Sequence, residues 1–113
     1  MKIFITGGTG YLGHSLSIKL AKAGHTIHLL VRNPDSSIVP QHPNIRVFKG
    51  DVHHSSSIAG SMKGCHQVFH MAAAVKCWTK DPDEIFRTNV EGTFHVLEAA
   101  RKGFVSRFVY TST

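Results

Sequence analysis

The fold is decided by a stretch near the start of the chain, which reads Ile3-Phe4-Ile5-Thr6-Gly7-Gly8-Thr9-Gly10-Tyr11-Leu12-Gly13. An apolar run typical of a buried strand stops at the spaced glycines Gly7, Gly10 and Gly13, and a helical pattern begins directly after them. Glycine tolerates the positive φ of a tight turn and lets the backbone approach a ligand closely. The free N–H groups at the start of the following helix favour an anion, with the helix dipole behind them. Together these features predict a cradle for nucleotide phosphate, in preference to a turn that serves only packing.

Strand and helix patterns alternate along the rest of the chain. The predicted strands are Lys2–Thr6, Thr26–Arg32, Ile45–Lys49, Gln67–Met71 and Arg107–Thr111. The predicted helices follow the glycines up to Gly24, run from Ser55 or Ser56 to near Gly64, and run from the cap Asp81-Pro82 to Gly103. Such alternation gives parallel strands with right-handed crossovers. We therefore predict an α/β fold over residues 1–113, a Rossmann-like doubly wound parallel sheet of five strands in the order 3-2-1-4-5.

Apolar residues at helical spacing predict the buried faces of the two longer helices. For the first helix the predicted face is Leu12, Leu16, Leu20 and Ala23. For the long helix it is Phe86, Val90, Phe94, Leu97 and Ala100.

The composition excludes several classes of function. The 13 Lys and Arg against 7 Asp and Glu give a net charge of +6, but the basic residues are scattered, so no nucleic-acid partner is expected. The two cysteines, Cys65 and Cys77, show no pairing pattern and are expected to be free thiols. No apolar run approaches a membrane span and no signal peptide is evident, so a cytoplasmic location without membrane contact is expected. The nine histidines show no recurring ligand spacing, and we predict no metal site.

The end of the second predicted strand indicates which dinucleotide would bind. In this fold an acidic residue there accepts from the ribose 2′-OH of NAD, whereas a basic one pairs with the 2′-phosphate of NADP. Here the position is Arg32, and no Asp or Glu lies at the strand end. The sequence therefore favours NADP, with NAD as the alternative; the other interpretation of Arg32 is a solvated strand terminus.

Several further motifs, in a fixed order, resemble those of a known family. The motifs are Thr6–Gly13, Gly50–Val52, Val68–Ala73, Asn89–Thr93 and Val109–Thr113. Over its whole length the chain resembles the extended short-chain dehydrogenase/reductases, within the NAD-dependent epimerase/dehydratase superfamily. Arg32 after Leu30-Val31, and Ala74–Trp78 before a Pro-capped helix, are most like the dihydroflavonol reductase and 3β-hydroxysteroid dehydrogenase branch.

The resemblance implies a role for each matching position. Contacts to the pyrophosphate are implied for Thr9, Gly10, Tyr11 and Leu12, contacts to the adenine for Asp51 and Val52, and a lining of the cofactor beyond the fourth strand for Ala72, Ala73 and Val75. Thr113 falls where the family places its catalytic Ser or Thr. These positions imply a dinucleotide cofactor.

The chain also departs from the family pattern. The family's catalytic Tyr has a Lys four residues later on the helix after the fifth strand, and neither Tyr11 nor Tyr110 is followed by such a Lys. The sixth strand and the C-terminal substrate region are absent as well, so the fold is expected to be incomplete at its C-terminus.

We therefore expect the NADP(H)-binding part of an oxidoreductase that reduces a carbonyl or oxidises a hydroxyl of a small-molecule substrate, a part that is inactive by itself. Two alternatives stay open: a non-catalytic NAD(P)-binding sensor or partner-binding module, and a fragment of a nucleotide-sugar epimerase or dehydratase. Formation of a homo-oligomer also stays open.

Overall fold

All five predicted strands form, and they lie parallel in one sheet. The computed structural model describes residues 1–73 and 80–111. The strands are β1 Lys2–Thr6, β2 Thr26–Val31, β3 Ile45–Lys49, β4 Gln67–His70 and β5 Arg107–Tyr110. Their order in the sheet is β3-β2-β1-β4-β5, which confirms the predicted topology.

Helices cover both faces of the sheet and connect its strands, except that a loop joins β2 to β3. They are α1 Tyr11–Lys22, α2 Ser56–Met62, α3 Pro82–Phe86 and α4 Gly92–Lys102, with a π-helical turn at Arg87–Glu91 between the last two. The predicted long helix is thus a continuous helical run with a π-helical insertion. It begins as predicted, because the Asp81 side chain accepts from the N–H of Asp83 at 3.1 Å and Pro82 takes the first position. The Arg87 guanidinium donates to Asp81 at 3.0 Å and lowers the pKa of that carboxyl.

Two apolar clusters lie on opposite faces of the sheet, as a doubly wound fold requires. The cluster on the α2 and α4 side is built around Phe4, Leu30, Ile58, Val68 and Val96. The cluster on the α1 side is built around Ile3, Ile5, Ala21, Ile27 and Leu29. Strand β2 is buried along Ile27–Val31, because its alternate side chains enter opposite faces of the sheet.

The predicted face of α1 is only partly correct: Leu20 packs against the cluster on the α1 side and Leu16 is half-buried. The buried residues of this helix are Gly13, Ser17 and Ala21, whereas Leu12 is 57% exposed and Ala23 is exposed. The Ser17 hydroxyl is satisfied within the helix, since it donates to the carbonyl of Gly13 at 2.7 Å. Small side chains let the helix axis approach the sheet closely, so the row of small residues faces the sheet here.

The predicted face of the long helix is wrong except at Ala100. The residues that α4 buries are Gly92, Val96 and Ala100. Only Ala100 was in the predicted set, and the other four predicted side chains are roughly half exposed. Their exposed fractions are 55% for Phe86, 51% for Val90, 61% for Phe94 and 45% for Leu97.

The end of α4 carries a non-glycine residue in the left-handed region. The N–H of Val105 donates to the carbonyl of Ala100 at 3.0 Å and that of Phe104 to Arg101 at 3.3 Å, which is a Schellman ending. The left-handed residue is Phe104, with φ 56°, and not the predicted Gly103 one position earlier. Helix α1 ends in the same way with Gly24 at φ 97°.

Phe104→Gly is therefore expected to raise the free energy of unfolding by about 0.5–1 kcal/mol, because relief of left-handed strain exceeds the extra chain entropy of glycine. Phe104 is 93% exposed, so little packing is lost. Gly24→Ala is the matched control and is expected to lower the free energy by about 1 kcal/mol. Urea unfolding followed by circular dichroism measures both; a Phe104→Gly protein no more stable than the wild type would contradict the strain.

Candidate functional site

A cavity of about 420 Å³ opens at the carboxyl ends of the first four strands. Its walls are the glycine turn after β1, the end of β2 at Arg32, the loop after β3 and the residues after β4. Two side chains of the α3 and π-helical region, Glu84 and Thr88, complete it. The carboxyl edge beside the central strands is where open α/β sheets bind ligands, and the volume lies in the range of small-molecule sites.

The glycine turn owes its shape to two close approaches of backbone to backbone. Gly7 has φ 76°, and its carbonyl accepts from the N–H of Gly10 at 3.1 Å, which closes the turn. A Cβ on Gly13 would lie 2.2 Å from the Gly7 carbonyl oxygen. Helix α1 therefore begins directly against the turn, and any larger residue at Gly13 would displace it.

The first three N–H groups of α1 have no carbonyl partner within the helix. The first backbone bond of the helix joins the N–H of His14 to the carbonyl of Gly10 at 2.9 Å. The N–H groups of Tyr11, Leu12 and Gly13 thus have no partner within the helix, and the glycine at the N-cap offers no side chain to cap them. This end of the helix fits a phosphate group, which needs backbone donors and close approach.

The structure gathers most of the predicted site residues around this cavity. Those that line it are Gly7, Thr9, Gly10, Arg32, Asp51, Val52, Ala72 and Ala73. Tyr11 and Leu12 lie beside it on the first turn of α1 with exposed side chains, and Gly13 lies beneath the turn. Val75 and Thr113 lie outside the described residues.

A buried hydrogen-bonded chain under the cavity was not foreseen from the sequence. His70 is fully buried at the end of β4, and its Nδ1 lies 2.7 Å from Thr6 Oγ1 while its Nε2 lies 2.8 Å from Thr93 Oγ1. The Thr93 hydroxyl donates to the carbonyl of Asn89 at 2.7 Å, so it accepts from His70 Nε2–H. Thr6 then donates to Nδ1 and accepts the N–H groups of Met71 and Ala72 at 3.1 and 3.2 Å.

The side chains of Thr6, His70 and Thr93 all have hydrogen-bond partners only if the His70 imidazole is neutral. A second proton on Nδ1 would face a Thr6 oxygen that already accepts two N–H groups. Burial in the same place lowers the pKa of His70 from 6.5 to about 4. The neutral imidazole thereby joins the end of β1 to the first turn of α4 and fixes the residues after β4 that line the cavity.

A second histidine, His53, lies in the cavity wall and was also missed. Its Nε2 is 2.6 Å from Thr88 Oγ1, and its Nδ1 is 3.3 Å from Asp51 Oδ1. Thr88 lies thirty-five residues along the chain, so no local pattern connects the two. The one sequence signal was the position of His53 two residues after Asp51.

The sheet topology, the glycine turn against a helix N-terminus and the cavity at the carboxyl edge define the class of dinucleotide-binding α/β folds. Comparison with known families then identifies the family. The model of the NAD dependent epimerase/dehydratase family matches residues 3–113, and the chain belongs to this family.

Several of the relatives carry the names of the predicted branch. A putative dihydroflavonol 4-reductase of Synechocystis sp. is 36% identical over 97% of this chain and 32% of that protein. A 3 beta-hydroxysteroid dehydrogenase/Delta 5-->4-isomerase of Mycobacterium tuberculosis is 34% identical over 99% of this chain and 31% of that protein. The chain spans about a third of the length of these curated relatives.

A solved structure supports the same fold. A short-chain dehydrogenase/reductase superfamily protein of Agrobacterium tumefaciens, crystallised with bound NAD, is 26% identical, covers 100% of this chain and 33% of its own, and superimposes with a TM-score of 0.85. The resemblance to an N-terminal part of the family is therefore confirmed.

The part of the chain that the structure describes holds neither a membrane-spanning helix nor a cluster of metal-ligating side chains. Among residues 1–73 and 80–111, no helix has the length and apolar character needed to cross a membrane. The same residues do not bring three His, Cys, Asp or Glu side chains together as a metal site would need. Cys65 is a free, buried thiol, and burial raises its pKa to about 11; Cys77 lies outside the described residues.

Proposed function

We propose that this chain is the NADP(H)-binding part of an oxidoreductase that transfers a hydride between the cofactor and a carbonyl or hydroxyl carbon of a small molecule. The observation that carries the proposal is the glycine turn packed under the free N–H groups of α1, with Arg32 at the rim of the same cavity. The names of the dihydroflavonol reductase and hydroxysteroid dehydrogenase relatives support a reductase over a nucleotide-sugar epimerase.

The protein's own residues bind and orient the cofactor in this proposal. The N–H groups of Tyr11, Leu12 and Gly13 donate to the pyrophosphate, and the dipole of α1 favours its charge. The nicotinamide supplies the hydride when the cofactor is bound. Ala72 and Ala73 leave room beside the turn on the β4 side, where their small side chains line the cavity.

Proton transfer is assigned to no residue of these 113. Neither Tyr11 nor Tyr110 has a Lys four residues later. We infer that the chain binds the cofactor without turning over substrate by itself. A steady rate of NADPH oxidation with an aldehyde or ketone, from the purified 113-residue chain, would contradict this inference.

Arg32 is proposed to select NADP. Its side chain is exposed at the end of β2, lines the cavity and, in the described parts of the chain, forms no ion pair. A guanidinium binds a phosphate through paired, charge-assisted hydrogen bonds, which contribute about 1.5–3 kcal/mol. The 2′-phosphate is the group by which NADP differs from NAD, so the preference depends on this contact.

Arg32→Ala is expected to weaken NADP binding roughly ten- to a hundred-fold and to leave NAD binding within about threefold. Isothermal titration calorimetry with both dinucleotides measures this. Arg46→Ala is the matched control, because Arg46 is exposed on β3 and does not line the cavity. Tighter binding of NAD than of NADP by the wild type would overturn the choice of cofactor.

A further inference from the structure

The loop after β3 is docked onto the helical run by three contacts of different kinds. His53 Nε2 lies 2.6 Å from Thr88 Oγ1 in the π-helical turn. His95 Nδ1 lies 2.7 Å from the carbonyl oxygen of Val52 and donates to it. Gly92 allows the approach, because a Cβ there would lie 2.8 Å from Val52 Cγ2. The loop and the helix thus form one wall of the cavity.

The His53 end of this wall faces the ligand space. Asp51, Val52, His53 and Thr88 all line the cavity, whereas His95 does not. The N–H of His53 donates to Asp51 Oδ1 at 2.9 Å, and the imidazole Nδ1 lies 3.3 Å from the same oxygen. Within residues 1–73 and 80–111, Asp51 Oδ2 carries no hydrogen bond and can accept one from a ligand. His53 therefore holds one carboxylate oxygen in place while the other stays available.

The position of this wall indicates which half of a dinucleotide it would meet. With the pyrophosphate at the glycine turn, the cavity extends to one side toward Arg32 and the loop after β3, and to the other side toward Met71–Ala73 after β4. Arg32 directly follows β2, and the end of this strand meets the adenosine ribose in this fold. The loop Asp51–His53 hence lies on the adenosine side.

We propose that His53 is a positioning residue for the adenosine half of the cofactor, which it serves by joining Asp51 to Thr88 across the cavity wall. This inference rests on the proposed function. His53 acts through its contacts with the Asp51 carboxylate and with Thr88 in the π-helical turn. Replacement of His53 would therefore free the carboxylate and weaken the contact between the loop and the helical run. The effect is confined to ligands that occupy the adenosine side.

A purely structural role for His53 would have a different signature. If His53 only supported the fold, its replacement would weaken the binding of every ligand in proportion to the loss of stability. If His53 is a positioning residue, its replacement lowers the affinity for the adenosine half of the cofactor and leaves the affinity for the nicotinamide half unchanged. ADP and nicotinamide mononucleotide are the two probes that separate these cases, because each carries one half of the cofactor.

The test is a double-mutant cycle on His53 and Thr88 by calorimetry with NADP, ADP and nicotinamide mononucleotide. His53→Ala and Thr88→Val are each expected to weaken NADP and ADP about tenfold, and the double variant by no more than either alone, because both remove one shared bond. Nicotinamide mononucleotide is expected to bind within about twofold of wild type. His53→Gln, which keeps a polar terminus, is expected to recover part of the loss, and exposed His54→Ala is the matched control without effect.

The outcomes separate the two proposals. If the wild type binds neither NADP nor NAD, the proposed function fails. If it binds them and the His53 variants bind ADP equally well, the positioning role is overturned and the proposed function stands. Additive losses, or an equal loss for nicotinamide mononucleotide, also overturn the positioning role. Should His53→Ala fail to fold, Thr88→Val and His53→Gln alone decide between these results.

Discussion

Gly13→Ala is expected to lower the free energy of unfolding by about 3 kcal/mol and to abolish dinucleotide binding. An alanine Cβ would lie 2.2 Å from the carbonyl oxygen of Gly7 and 2.8 Å from its carbonyl carbon. No rotamer change relieves an overlap with backbone, and the Gly7 carbonyl is already held by the N–H of Gly10 at 3.1 Å. Helix α1 would have to move away from the turn, and its free N–H groups would move with it.

Two other glycines provide matched controls for this substitution. A Cβ on Gly60, exposed inside α2, would meet nothing within 4 Å, so Gly60→Ala is expected to raise the free energy of unfolding by about 0.5–1 kcal/mol. A Cβ on Gly10 would approach only the Gly7 oxygen, at 3.4 Å, so Gly10→Ala is expected to keep the fold while weakening binding at the cavity. Urea unfolding and calorimetric titration with NADP measure both effects. A Gly13→Ala protein with the wild-type unfolding midpoint would contradict this prediction, because it would show that a Cβ at position 13 fits against the Gly7 carbonyl.

The strands and their order were predictable because their signal is local. Each strand is a short apolar or alternating run bounded by turn residues, and alternation with helices leaves few topologies open. The glycine cradle was predictable for the same reason, since strand, glycines and helix are contiguous. Arg32 could be placed by its position at the end of β2 alone.

The buried faces of the helices could not be predicted in this way, because the size of a side chain, and not only its hydrophobicity, determines which residues face the sheet. The sheet accepts Gly13, Ser17 and Ala21 from α1, since small residues allow the closest approach. The larger apolar side chains are then turned outward, and Phe86 and Phe94 are more than half exposed.

The contacts of His70 with Thr6 and Thr93 could not be predicted for a different reason. Thr6, His70 and Thr93 are separated by 64 and 23 residues, and only the register of β1 with β4 brings Thr6 opposite His70. The position of a histidine at the end of a strand does not by itself indicate a role for its side chain. The pairing of donors and acceptors that gives His70 its role exists only in the folded protein.

Between pH 6.5 and pH 4 the protein is expected to lose up to about 3 kcal/mol of stability through His70 alone. Burial lowers the pKa of His70 from 6.5 to about 4, so in this range the unfolded chain binds a proton that the folded chain does not. Stability therefore falls as the pH falls: the contribution of His70 is complete above pH 6.5 and is lost below about pH 4.

The carboxylates lose their contributions in a lower range, which keeps the two effects apart. The pKa of Asp81 is lowered from 3.8 by Arg87, and that of Glu98 from 4.5 by Arg101. Each stabilises the fold above its unfolded pKa and ceases to do so as the pH falls through its folded pKa. Asp81 is exposed, and the half-buried Glu98 has an ordinary pKa of 4.5, so most of the change above pH 4.5 is assigned to the buried histidine.

His70→Gln isolates the histidine, because glutamine keeps one donor and one acceptor for Thr93 and Thr6 but does not titrate. The difference in unfolding free energy between wild type and this variant is expected to be largest above pH 6.5 and to shrink by about 3 kcal/mol by pH 4. Exposed His54→Gln, the matched control, is expected to follow the wild-type curve. Urea unfolding at half-unit steps of pH measures all three proteins. Parallel curves for His70→Gln and wild type would show that His70 accepts its second proton in the folded protein as readily as in the unfolded chain, and the neutral hydrogen-bonded chain beneath the cavity would then be the wrong description.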